Sequence, residues 1–263
     1  MHGTPYQNTK DEAKMTSNPP FRLALALLAG LFLSLLLVVR ATLADLGARE
    51  ATLNPEGTAL ELNVDSGGDL WLSDFGAGEI WLVDGATGAY TAYQDMGAPS
   101  DARHDGRGTV WWGDGLENVL GEMDLNTIEA RWWTLPGADG VFGTAFDGAG
   151  RVWAAALNDP YLYRFDPDSR QLCRYQLPAT GITNYLAVDV AAGGIWAAST
   201  ESERAYRLPV DGNTWTVWPL PVDSGPVGVD LDETGRLWFA DANRGLLATL
   251  DGQSDTLVQY DLP

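Results

Sequence analysis

Five tryptophans, Trp71, Trp111, Trp153, Trp196 and Trp238, are spaced 40, 42, 43 and 42 residues apart. Each sits in the same local phrase: SGGDLWLSD, GRGTVWWGD, GAGRVWAAA, AAGGIWAAS and ETGRLWFAD. A period near 42 with strand-like content is the signature of a β-propeller blade, a unit that buries its faces only by stacking on neighbours. The repeat sorts the residues. A type present in every copy is scaffold, and one that breaks the pattern is a candidate for function.

Each repeat divides into four short strands, a to d from the axis outward. In the fifth, PVGVDLD reads as strand a, RLWFAD as b, LLATLD as c and TLVQYDLP as d. β-branched and aromatic residues fill the strands, and Gly, Asp and Asn fill the gaps. The a–b turn is Asp-x-x-Gly in four repeats, at Asp65–Gly68, Asp105–Gly108, Asp147–Gly150 and Asp232–Gly235. An Asp there bonds its own turn, and Gly accepts the positive φ that follows. These aspartates therefore read as turn residues rather than ligands. Repeat four breaks the phrase with one extra residue (VDVAAGG). Pairs such as Trp111-Trp112 and Trp132-Trp133 place one ring on each face of a strand. Eleven Trp residues suit blades stacked face to face. The expected fold class is all-β, a propeller of four-stranded blades over residues 56–263, with no helix longer than two turns after residue 46.

The N-terminus is a different object. Leu23 to Val39 is a largely apolar run of 17 residues, broken only by Gly30 and Ser34, between Arg22 and Arg40. That length suits a short membrane span or a long signal-peptide core. ATLA before Asp45 is the best cleavage candidate, and an uncleaved anchor is the preferred reading. Ahead of the run, Lys10, Lys14 and Arg22 outnumber Asp11 and Glu12. Positive charge stays in the cytoplasm, so the propeller is expected outside it, on a single-pass anchor in the cell membrane. The organisation is then a disordered cytoplasmic tail (1–20), a transmembrane or signal-anchor helix (21–40), a linker (41–55) and the propeller (56–263). Residues 49–55, REATLNP, resemble the strand-d ending RWWTLP and are a candidate extra outer strand.

After residue 46 the chain carries 12 Arg, no Lys and 33 acidic residues, a net charge of −21. Such a surface repels phosphate backbones and excludes nucleic acid as a partner. The lone Cys173 excludes an intrachain disulfide.

Two phrases carry a family resemblance. PVGVDLDETGRLWFAD has the pattern P-x-G-(apolar)-x-x-D-x-x-G-x-(apolar)-W-(apolar)-x-(acid). The endings WWTLP, RYQLP, VWPLP and QYDLP share aromatic-x-L-P. Together they resemble the repeat of the virginiamycin B lyase, or streptogramin lyase, family across all five repeats. The resemblance implies a propeller of seven blades. It also implies a Mg²⁺-dependent lyase that opens a cyclic depsipeptide antibiotic by elimination, with histidine as general base. That histidine would follow the Pro that opens strand a. Here the column holds Leu60, Ser100, Phe142, Tyr185 and Val227, none of them a base at neutral pH. The two histidines are His2, ahead of the anchor, and His104, beside the Asp105 turn, where it reads as structural. Binding of a small molecule or protein on the top face is therefore the expected function. A metal-dependent lyase, or a lactonase-like hydrolase, using carboxylates is the alternative.

Antiparallel pairing brings the start of strand a and the end of strand b to one mouth of the central channel. The second column of strand a reads Glu61, Asp101, Gly143, Leu186 and Gly228. Three residues after each Trp, at the end of strand b, stand Asp74, Asp114, Ala156, Ser199 and Asp241. The expected mouth is acidic on one side (Glu61, Asp74, Asp101, Asp114, Asp241) and apolar-aromatic on the other (Phe142, Tyr185, Ser199). If the ring closes, Asp74, Asp114 and Asp241 converge as oxygen ligands for Mg²⁺ or Ca²⁺. If five blades leave it open, exposed sheet edges invite self-association.

Overall fold

A computed structural model describes residues 57–157, 159–178, 183–189 and 193–262, with the side chains of 183–189 left out. The expected tail, anchor and linker lie outside the described residues. Among those described, no helix is long and apolar enough to cross a membrane.

Among the described residues, twenty strands form five antiparallel sheets, each taken in chain order from the axis outward. Blade 1 holds β1 (Ala59–Val64), β2 (Leu70–Asp74), β3 (Glu79–Val83) and β4 (Tyr90–Tyr93). Blade 2 holds β5 (Pro99–His104), β6 (Thr109–Asp114), β7 (Val119–Asp124) and β8 (Glu129–Thr134). Blade 3 holds β9 (Val141–Phe146), β10 (Val152–Ala156), β11 (Tyr161–Asp166) and β12 (Gln171–Gln176). Blade 4 holds β13 (Thr183–Asp189), β14 (Gly194–Ser199), β15 (Arg204–Pro209) and β16 (Thr216–Pro219). Blade 5 holds β17 (Pro226–Leu231), β18 (Leu237–Asp241), β19 (Leu246–Asp251) and β20 (Thr256–Asp261). Strands a to d of the sequence are the first to fourth strand of each blade.

The Asp-x-x-Gly turn is wired to the repeat tryptophan. Asp147 Oδ1 accepts from the N–H of Ala149 and Arg151 at 3.0 and 3.1 Å, while Oδ2 accepts the Trp153 indole N–H at 2.9 Å. Asp65 and Asp232 hold Trp71 and Trp238 at 3.1 and 3.0 Å. Gly150 turns the chain at φ +77°, a conformation that penalises any side chain. Where the phrase is broken, in repeat four, the buried Trp196 Nε1 has no partner. Trp111 Nε1 is equally orphaned, although Asp105 holds its own turn through Arg107 N and Thr109 N.

Tandem tryptophans do face opposite blades. Trp111 lies in the core between blades 2 and 3, and Trp112 in the core between blades 1 and 2. The Trp112 ring sits over Gly121 of β7, where a Cβ would lie 2.1 Å from it. Four apolar cores join blades 1–2, 2–3, 3–4 and 4–5. Among the described residues no such core joins blade 5 to blade 1. Leu62 and Val64 of β1 are 51% and 64% exposed, as expected of a blade whose inner edge has no neighbour.

Candidate functional site at the channel mouth

Every innermost strand carries a register irregularity near its start, between Ala59 and Glu61, Pro99 and Ala102, Thr183 and Tyr185, and Val227 and Val229, with a matching one on β10 opposite β9. A bulge re-aims the side chains around it. It also corrects the columns. Glu61 pairs with Ser73, two residues after its Trp, and Gly143 pairs likewise with Ala155. In blades 4 and 5 that position belongs to Tyr185, opposite Ala198, and Val227, opposite Ala240, not to Leu186 and Gly228. The bulge absorbs the residue that simple counting misplaces.

The acids at the ends of strand b are anchors. Asp74 Oδ1 accepts from Thr58 N and Ala77 N at 2.9 and 3.0 Å. Asp114 takes Ala98 N on Oδ2 at 3.0 Å, and Leu116 N and Glu117 N on Oδ1 at 2.9 and 3.0 Å. Asp241 takes Gly225 N and Arg244 N on Oδ1, and the Ser224 hydroxyl on Oδ2. Each carboxylate thus ties the loop leading into strand a to the b–c turn of its own blade. All three are at most 4% exposed. Ser199 fills the same post, its Oγ accepting Ser202 N at 3.3 Å. Among the described residues no group of three or more His, Cys, Asp or Glu is arranged to hold a metal ion. Backbone N–H groups already take up part of the acceptor capacity of Asp74, Asp114 and Asp241.

The acids of strand a behave differently. Asp101, 1% exposed, accepts Thr144 N from blade 3 at 2.7 Å and the Asn63 amide from blade 1 at 2.6 Å. Arg103 Nε lies 3.2 Å from Asp101 Oδ1 and 3.3 Å from Oδ2. Asp101 therefore clamps three blades at their inner lips. Glu61 feels the charges of this pair and of Asp230. Its Oε2 is shut off from solvent and has no hydrogen-bond partner. Burial pushes the Glu61 carboxyl up to about 8, Asp101 and Asp230 add to the rise, and Arg103 opposes it.

Asn63, Arg103 and Asp230 were not singled out in the sequence. They pair directly with Trp71, Trp111 and Trp238, eight residues ahead of each. That column, which continues as Ala145 in blade 3, was the available signal. Phe142 is 4% exposed and stacks on Phe75 at 6.5 Å between ring centres, so it packs the top of the arc. Tyr185 is placed by its register alone. His104 stacks on Trp71 at 5.6 Å, with Nδ1 3.3 Å from Asp65 Oδ2 at the a–b turn of blade 1, and neither ring nitrogen makes a hydrogen bond.

No family model matches the chain, and no curated protein matches it. Solved structures do. Virginiamycin B lyase from Staphylococcus aureus superposes with a TM-score of 0.72 at 19% identity, over 82% of this chain and 73% of that one. The chain folds like virginiamycin B lyase. A catalytically inactive histidine variant of that enzyme, solved with quinupristin, superposes at 0.73 with 19% identity, over 82% and 74% of the two chains. The nidogen/laminin complex shares the fold too, with a TM-score of 0.70 and 16% identity over 81% and 84% of the two chains. At these identities the likeness establishes the propeller, and one fold hosts both an enzyme and a protein–protein complex.

Proposed function

We propose that this chain is a membrane-anchored, extracytoplasmic binding propeller with a virginiamycin-B-lyase-like fold. Its ligand, a small molecule or the tip of a protein, is placed at the cluster of Glu61, Asn63, Asp101, Arg103 and Asp230. The observation that carries the reading is the unpartnered, buried Glu61 Oε2 facing that cluster. A buried polar atom without a partner costs free energy that a ligand hydrogen bond recovers. The other acids of the mouth serve the scaffold, and the opening-Pro columns hold no histidine. Proteins of this fold that act as enzymes and those that assemble with partners are both known among its neighbours.

A carboxyl titrating near 8 also suits a general base or acid, which favours a carboxylate-based lyase or hydrolase as the second reading. One experiment separates them. Purified full chain is incubated with a type B streptogramin, with and without Mg²⁺ or Ca²⁺, alongside Glu61→Gln. The binding reading expects no linearisation, and ligands found by thermal shift should lose their effect in the variant. Turnover that rises with pH through about 8 and disappears in Glu61→Gln overturns it. A reporter fused after Pro263 should be active outside the cytoplasm; activity of a cytoplasm-only reporter removes the topology.

A further inference from the structure

The four interblade cores share one contact. The apolar residue after strand d, Met96, Leu135, Leu177 or Leu220, is buried at each junction. Its N–H donates to the carbonyl just ahead of strand c, those of Gly78, Asn118, Pro160 and Glu203, at 2.7–2.9 Å. At three junctions an aromatic of the following blade then donates to this tail. Trp112 Nε1 bonds Met96 O at 3.0 Å, the Tyr163 hydroxyl bonds Pro136 O at 3.1 Å, and Trp215 Nε1 bonds Gln176 O at 2.8 Å. Two further leucines occupy the column. Leu262 follows β20 and is 51% exposed. Leu53 stands 18 residues ahead of Trp71, as Leu135 does ahead of Trp153 and Leu220 ahead of Trp238.

Blade 1 is prepared for such a tail. At junction 2–3, Leu135 packs with Val152, Ala154, Tyr163 and Phe165. Strand register makes Leu70, Leu72, Trp81 and Val83 their counterparts in blade 1. Leu72, Trp81 and Val83 are 8%, 6% and 7% exposed, yet none belongs to the four cores. Trp81, in the place of Tyr163, has a buried Nε1 with no partner. The outward face of blade 5 differs: Val258 and Tyr260 are 41% and 42% exposed.

We propose that Ala51–Pro55, the chain directly ahead of blade 1, docks on this face as a strand-d tail without a blade. Leu53 seats against Leu72, Trp81 and Val83, and Trp81 Nε1 donates to a carbonyl of the tail, as Tyr163 does to Pro136. The tail caps one end of the arc and leaves blade 5 as the open end.

The test is hydrogen exchange of the full chain, followed in peptides covering Leu70–Val83. Leu53→Asp is expected to speed exchange there at least tenfold, independently of protein concentration. Leu262→Asp, the same column at the open end, should leave it unchanged. Unchanged exchange in Leu53→Asp overturns the proposal. So does protection that disappears on dilution of the parent, because a second copy would then be the occupant. If Leu53→Asp does not fold, a Leu53→Cys, Val83→Cys pair in a Cys173→Ser background decides: an intramolecular disulfide supports docking, and free thiols under oxidising conditions refute it.

Discussion

Asp114 and Glu61 approach the same mouth from adjacent strand ends, and the protein treats them oppositely. Asp114 is 4% exposed and receives three backbone N–H groups from two loops of its own blade. Each bond consumes a lone pair. Glu61 receives none on Oε2 and feels the charges of two further carboxylates and one guanidinium. The first carboxylate is spent on the fold, and the second remains available to a ligand. Burial alone does not mark a site; what matters is whether the lone pairs are already taken.

The largest test of this contrast is Asp114→Ala. Three N–H groups lose their acceptor at a closed loop junction, and each buried orphan costs about 1–3 kcal/mol, so with partial relaxation a loss of about 2–4 kcal/mol is expected. Urea unfolding measures it. Asp114→Asn and Asp74→Asn should lower the melting temperature too. A rise, as expected for carboxylates that merely repel one another, would collapse the distinction between the two sets.

Glu61→Gln should act through pH, and less strongly. The folded pKa is raised to about 8 from 4.5. The folded state therefore holds this proton more tightly than the unfolded one, and the contribution is full below about 4.5. It declines as pH rises and is lost above 8. The parent should lose stability between pH 5 and 8, and the variant should show a flatter profile and melt higher at pH 9. Identical profiles for the two proteins would show that Glu61 is solvated and ordinary.

Arg103→Met sharpens the comparison at the axis. Removing the cation leaves the charges of Asp101 and Asp230 unopposed at Glu61, so its carboxyl should rise further, and the loss of stability with pH should deepen and extend to higher pH in salt-free buffer and shrink with added salt. A salt-independent response would mean that the guanidinium, 31% exposed, does not hold the cluster together.

Ser199→Ala is the smallest test. One bond of 3.3 Å is lost, worth about 0.5–1.5 kcal/mol. Blade 3 already has Ala156 at this post, so the fold tolerates the absence. A loss as large as that of Asp114→Ala would mean that the posts are not graded by the bonds they make.

The period of Trp71, Trp111, Trp153, Trp196 and Trp238 determined the blades, their number and the turn chemistry, because each repeat writes its own local rules. Alternation along the strands predicted Trp111 and Trp112 on opposite faces, and the structure puts them in different cores. The strand-b ends were legible as well, since Asp74, Asp114 and Asp241 close β2, β6 and β18. What no count along the chain supplied was the role of each acid. That depended on whether loop N–H groups from residues 16 positions away, as Thr58 is from Asp74, reach the carboxylate. The bulges moved Tyr185 and Val227 into the level of Glu61, and the register across strands placed Asn63, Arg103 and Asp230 around it. Tertiary structure alone decided that, among the described residues, blade 5 makes no core with blade 1, because closure depends on the angle between blades, which is set by packing at every junction at once.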